Sequence, residues 1–267
     1  MDYDTQRTKL QKTILIIAEE IDRICKSNNI QYDMDGGTLL GAIRHQGFIP
    51  WDDDFDIGMK RREFEKFIEA CKRDLNREVF TLQTTETENY AFAFAKVHLN
   101  NTVIVEDFSK NVNVHHGVFV DIFPFDNLPN NKIAKRLYLA NNHILKNLIW
   151  VKCQYGTQKM KRKVSYHIIK FIGLFFNINK LKKERNKLLL KYNNCETEEC
   201  FTSDYPMYHL KNKWFKNLDS YIFENRQLPG FRDYDEYLTA VFGDYMELPP
   251  EEERRVHTTH DIDFGPY

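Results

Sequence analysis

Residues 47–59 read GFIPWDDDFDIGM, in which four aspartates (Asp52, Asp53, Asp54 and Asp56) fall within five positions and run into an apolar–polar alternation. Alternation of period two predicts a strand through FDIGM, with Phe55 and Ile57 on one face. The two-residue step then places Asp54 and Asp56 together on the opposite face, with Asp52 able to join them and Asp53 between the alternating positions. Carboxylates held that close repel each other unless a cation sits between them. Hard oxygen donors on a rigid edge suit Mg²⁺ or Mn²⁺, which retains waters and takes substrate phosphates as further ligands. The competing reading is a solvated acidic turn.

Upstream, Asp35-Gly36-Gly37-Thr38 lies between a short strand, IQYDM, and a helix expected from Thr38 to Arg44. Glycines at a strand-to-helix turn let backbone approach closely and aim amides and a helix N-terminus at an anion. A glycine turn followed by an acidic strand is the working unit of phosphoryl-transfer sites. Asp121, the lone acid in the apolar run GVFVDIF, is the candidate third metal ligand or base.

The chain around these motifs has 267 residues, a formal net charge of −1 and 42% hydrophobic residues, enough for a substantial core. An N-terminal helix over 5–27 is marked by Leu10, Ile14, Ile17, Ile21 and Ile24. A second helix is expected in RREFEKFIEACKRDL, and strands in VFTLQTT, AFAFAKVHL, NTVIVEDF and a GVFVDIFPFDNLP stretch ended by its prolines. The expected organisation is a mixed α/β catalytic core over 1–128, a basic helical segment over 129–191 and a section over 192–267 that packs back on the core. From Lys132 to Lys191 there are sixteen Lys or Arg against one acid, Glu184. Basic clusters interleaved with Phe, Ile and Leu over 159–191 fit an interfacial helix on anionic lipid. A basic groove for a sugar-phosphate, or a plain solvated face, are the rivals. No signal peptide or membrane span is visible and the cysteines are scattered, so a cytoplasmic protein is expected, peripheral on the inner face of the plasma membrane if the basic segment binds lipid. Cys195 and Cys200, with His209, match no common zinc spacing. Near-neutral charge and the lack of an RNA-binding signature argue against nucleic acid.

Three blocks, GTLLGAIRHQGFIPWDDDFDIGM, HHGVFVDIFPFDNLP and FGDYMELPPEEERRVH, resemble the LicD family of phosphocholine transferases, whose core is related to that of the fukutin-related ribitol-phosphate transferases. The resemblance implies a nucleotidyltransferase-like mixed sheet with flanking helices. It also implies transfer of phosphocholine from CDP-choline to a sugar hydroxyl of a lipid-linked, cell-surface glycan precursor, of teichoic acid or lipooligosaccharide type, with release of CMP. Matched residue by residue, Gly36 and Gly37, with Thr38 beside them, take the glycine-turn positions. Asp54 and Asp56 take the metal-binding pair and Asp121 the third acidic position, with Mg²⁺ or Mn²⁺ as cofactor. His115, His116, Arg254 and His257 fall in the motifs and become candidates for substrate contact. Asp121 or Asp52 is the candidate base, and Arg44 or Lys96 the candidate phosphate ligand. Trp51 either stacks on cytosine or choline, or wedges its turn into the core. Alternatives with the same core are CDP-ribitol or CDP-glycerol as donor, or true nucleotidyl transfer. Outside enzymes, a nucleotide or glycan-precursor binding module remains.

Overall fold

A computed structural model describes residues 3–205, 208–254 and 259–267. Helix α1 (Tyr3–Ser27) buries the predicted stripe, with Ile17, Ile21 and Ile24 fully shielded from solvent. Each such side chain contributes about 1.5–3 kcal/mol of apolar burial. Strand β1 (Asp33–Met34) leads into α2 (Gly36–His45), strand β2 (Asp56–Lys60) and helix α3 (Arg61–Asp74). Then follow β3 (Phe80–Gln83), β4 (Ala95–Leu99), β5 (Val103–Glu106) and β6 (Phe119–Asn127).

Among the described residues the main sheet has seven strands in the order β1-β2-β6-β4-β3, extended on β6 by β7 (Glu199–Thr202) and β8 (His209–Lys211). β2 and β6 run parallel, while β4 and β7 are antiparallel to β6. α1 and α3 pack against this sheet. The expected α/β class, with a mixed sheet and flanking helices, is the class found.

Two expectations need correction, and one strand takes a partner outside the main sheet. β2 begins at Asp56, so Asp54 belongs to the approach to the strand rather than to the strand itself. β6 is not ended by its first proline: β4 pairs with residues 119–122 and β7 with 125–127, so Pro124 sits at the changeover where no antiparallel partner needs its missing N–H. β5 leaves the main sheet to pair with β11 (Thr259–Asp263), because the C-terminal segment supplies it with an edge of its own.

The basic segment is helical: α4 (Lys132–Lys152), α5 (Gln158–Lys161), α6 (Val164–Gly173) and α7 (Ile178–Leu190), with Asn131 and Asn177 capping the N-termini of α4 and α7. None of the described helices is long and apolar enough to cross a membrane. The C-terminal section adds an antiparallel hairpin, β9 (Leu218–Phe223) and β10 (Arg226–Phe231), and helix α8 (Tyr234–Phe242).

Candidate active site

Strand register brings three sequence-distant groups into one row. Asp56 on β2 is the partner of Asp121 on β6, and Asp121 is the partner of Lys96 on β4. Partners across a ladder project from the same face, so two carboxyls and an ammonium converge. The Lys96 ammonium is 3.1 Å from Asp121 Oδ1 and 3.5 Å from Glu106 Oε2. It also lies 3.2 Å from the centre of the Phe119 ring.

The glycine turn is bolted to this row. Thr38 Oγ1 accepts the Asp56 backbone N–H at 2.8 Å, and Asp35 N–H donates to the Asp56 carbonyl at 3.0 Å. Tyr237 of α8 donates its hydroxyl to Asp35 Oδ1 at 2.6 Å and accepts the Gly36 amide at 2.8 Å. Gly36 has φ +52°, a backbone region open to glycine and strained for other residues. A Cβ on Gly37 would stand 3.0 Å from Asp52 Oδ2, so the second glycine leaves room for that carboxylate.

These elements enclose a cavity of about 410 Å³. Its lining combines the acids Asp35, Asp53, Asp54, Asp56, Glu106 and Asp121 with the aromatic side chains of Phe108, Phe119, Tyr205, Tyr208 and Phe242. Burial pushes the Asp56 carboxyl well above the usual carboxylate range, and the charges of Asp54, Asp121, Asp35 and Asp52 push it further. Burial also raises Asp121, to about 7, against the opposing pull of Lys96. Burial raises Asp35, partly offset by the Tyr237 hydrogen bond.

The donor set fits a hard divalent cation, because hard oxygens are crowded until their charged forms disfavour one another. Among the described residues, no three His, Cys, Asp or Glu side chains are gathered tightly enough to hold a metal by themselves. A cation here would therefore draw part of its shell from substrate phosphates and water, as Mg²⁺ commonly does.

Of the residues singled out in the sequence, Gly36, Gly37, Asp54, Asp56 and Asp121 line this cavity. Asp53, read as turned away, lines it too, whereas Asp52 stands behind Gly37. This inversion follows from the absence of strand geometry before Asp56. Thr38 is buried, its hydroxyl engaged with Asp56 rather than with the cavity. Lys96 is not a surface lysine and does not line this cavity; it is buried against Asp121. Arg44 donates to the Tyr245 and Glu247 carbonyls and fastens the segment after α8. Trp51 packs against the core with the Arg254 guanidinium 4.4 Å from its ring centre, which favours the wedge reading. His116 Nε2 donates to Val112 O, and the His115 ring lies tilted beside buried His98, both away from the cavity lining. His257 lies outside the described residues. Cys200 is buried in β7 with its thiol on Leu210 O, while Cys195 is exposed.

Sequence reasoning missed Glu106 and the aromatic lining. Glu106 closes an ordinary strand, and Tyr205 and Tyr208 occupy a connection with no motif. The basic segment fixes part of that connection. Arg185 on α7 pairs with Asp204 at 2.9 Å and Asn142 on α4 donates to Ser203 O at 2.9 Å, directly before Tyr205.

The Lys96 contact makes a prediction. In Lys96→Met, Asp121 loses the neighbour that favours its charged form and titrates above about 7. Comparing the pH dependence of melting for Lys96→Met and Lys96→Met/Asp121→Asn isolates that carboxyl. An unchanged midpoint would show that Lys96 does not set it.

A family model described as LicD/FKTN/FKRP, nucleotidyltransferase domain, matches residues 29–152. Over 255 residues the chain is 31% identical to the lipopolysaccharide cholinephosphotransferase LicD of Haemophilus influenzae, covering 92% of this chain and 94% of that protein. An uncharacterized protein of Rickettsia prowazekii is 47% identical over 47 residues, 18% of each chain. The human ribitol 5-phosphate transferase FKRP is 44% identical over 36 residues, 14% of this chain and 7% of that protein.

Proposed function

The chain belongs to the LicD family, and on that premise we propose that it transfers phosphocholine from CDP-choline to a sugar hydroxyl of a cell-surface glycan precursor, releasing CMP. The observation that carries the reading is that carboxylates and aromatic side chains line one cavity together. A quaternary ammonium has no N–H to donate and is recognised by aromatic faces and negative charge.

Asp54 and Asp56, with substrate phosphates and water completing the shell, would hold Mg²⁺ or Mn²⁺, which would neutralise the diphosphate and the charge that develops on CMP. Asp121 would accept the proton of the acceptor hydroxyl as it attacks the choline-bearing phosphorus and the bond to CMP breaks. Lys96, which also lies 3.5 Å from Glu106, orients Asp121 through a 3.1 Å contact. Tyr237 and Thr38 keep the glycine turn against the start of β2, so the phosphate-facing backbone and the carboxylates stay in register.

The test is CMP release from CDP-choline, with Mg²⁺ or with EDTA, in the presence of a lipid-linked glycan precursor, and with CDP-ribitol and CDP-glycerol run alongside. Metal-dependent release from CDP-choline is expected. Turnover of another donor alone would replace choline in the reading. For Tyr205→Leu/Tyr208→Leu we expect KM for CDP-choline to rise about tenfold, with kcat changed less, as loss of one or two cation–π contacts predicts. An unchanged KM would remove the aromatic lining from donor recognition.

A further inference from the structure

We propose that helix α6 (Val164–Gly173) and the turn after it form a docking surface for an anionic lipid membrane. α6 is apolar on two opposite sides. Tyr166, Ile169 and Gly173 face inward, Gly173 buried and the other two partly so. Val164, Ile168, Phe171, Ile172 and Phe175 recur at steps of four, three, one and three residues, which places them on one helical stripe. That stripe points outward: Val164 is 74% exposed, Phe171 63% and Phe175 74%. A contiguous row of large apolar side chains in water marks an interaction surface.

Charge decides what covers it. Lys159, Arg162, Lys163, Lys170 and Lys180, on α6 or in the chain close to either end of it, are exposed, and the chain has no Asp or Glu between Asp126 and Glu184. Among the described residues none of these five cations enters an ion pair, although acids elsewhere on the chain do pair with lysines. A second copy seated on the stripe would bring two such clusters together without counter-charge. An anionic bilayer satisfies both features, taking the apolar stripe at the acyl boundary and the cations among its headgroups. Ten residues of helix rise about 15 Å, half of a hydrocarbon core, so α6 lies in the interface and does not span it. Lys152 at the end of α4 donates to the Gly173 carbonyl at 3.0 Å, which ties the docking helix to the body of the protein. The placement agrees with an acceptor carried on lipid, but vesicle binding is read without turnover, so its outcome is separate from that of the donor assay.

The experiment is co-sedimentation of the full chain with vesicles of phosphatidylcholine, with and without about 30 mol% phosphatidylglycerol as the anionic component. Wild type is expected in the pellet with the anionic vesicles, with binding weakened by salt. Ile168→Ser/Phe171→Ser/Phe175→Ser and, separately, Arg162→Glu/Lys163→Glu are each expected to lower partitioning about tenfold or more. These side chains are solvent-exposed, so melting temperature should hold and verify that the variants fold. Wild type remaining in the supernatant with anionic vesicles, or a triple-serine variant that pellets like wild type, would overturn the assignment. So would a concentration-dependent dimer, seen by analytical ultracentrifugation and abolished by the triple substitution, since it would give the stripe to a second copy.

Discussion

Asp56→Asn is expected to lower CMP release about a thousandfold while raising the melting temperature of the metal-free protein at pH 7. The two effects have one cause. Burial and the fields of Asp54, Asp121, Asp35 and Asp52 hold the folded-state pKa of Asp56 above its unfolded value. Ionising that carboxyl is therefore harder in the folded chain, and its contribution to stability is fully present below the unfolded pKa, near 4, and is lost as pH rises through the folded pKa. Asparagine keeps the shape and removes the charge. The difference in melting temperature between variant and wild type should be small near pH 4 and grow with pH. Adding Mg²⁺ should raise the wild-type value and leave that of Asp56→Asn almost unchanged, because the cation stabilises the fold only where it finds the repelling carboxylates. A variant as active as wild type would dismiss Asp56 from the chemistry. A variant that melts lower at pH 7 would show that the carboxylate is satisfied in the fold and that no cation is needed there.

How far the sequence disclosed this site follows from what kind of contact makes it. Period-two and period-3.6 patterns are local, so α1, α3, β2 and the start of β6 were legible, as was the glycine turn before α2. Asp54, Asp56 and Asp121 stood out because acids interrupt apolar runs. Their convergence required register, and the pairing of Asp56 with Asp121 across a parallel ladder is invisible in a linear reading. Lys96 illustrates the loss: its sequence neighbours suggest a surface or phosphate-binding lysine, yet the antiparallel register of β4 puts it directly against Asp121. Arg44 reads by its chemistry as a phosphate ligand, while for Trp51 a ligand-stacking role and a core wedge both fit the sequence. Carbonyls after α8 and the guanidinium of Arg254, some two hundred residues away, occupy them. Tyr205 and Tyr208 were out of reach because their position depends on Arg185 and Asn142, buried members of a segment whose surface is basic.

Asp126→Ala is expected to destabilise the protein by about 3–5 kcal/mol, a fall in melting temperature on the order of 10 °C. Asp126 is fully buried and accepts two bonds from Arg61, at 2.8 and 2.6 Å, and one from Asn193 at 2.7 Å. Removing it leaves a buried guanidinium and an amide without that acceptor, and the cost is chiefly that of the uncompensated charge. Arg61→Met/Asp126→Leu should therefore recover much of the loss, since an apolar pair leaves no charge behind. Position gives the pair a second consequence. Lys60 and Phe125 are the last partners of the parallel β2–β6 ladder, and Arg61 and Asp126 are the residues that follow. Asp56 and Asp121 are partners at its other end. The buried ion pair thus clamps one end of the ladder whose other end holds the carboxylates, and a slip of one residue would turn Asp56 away from Asp121. The single variant should lose CMP release as well as stability, and the apolar double variant should regain both if burial alone fixes the register. A double variant that is stable but inactive would show instead that the directional Arg61–Asp126 bonds set the alignment of the acidic site.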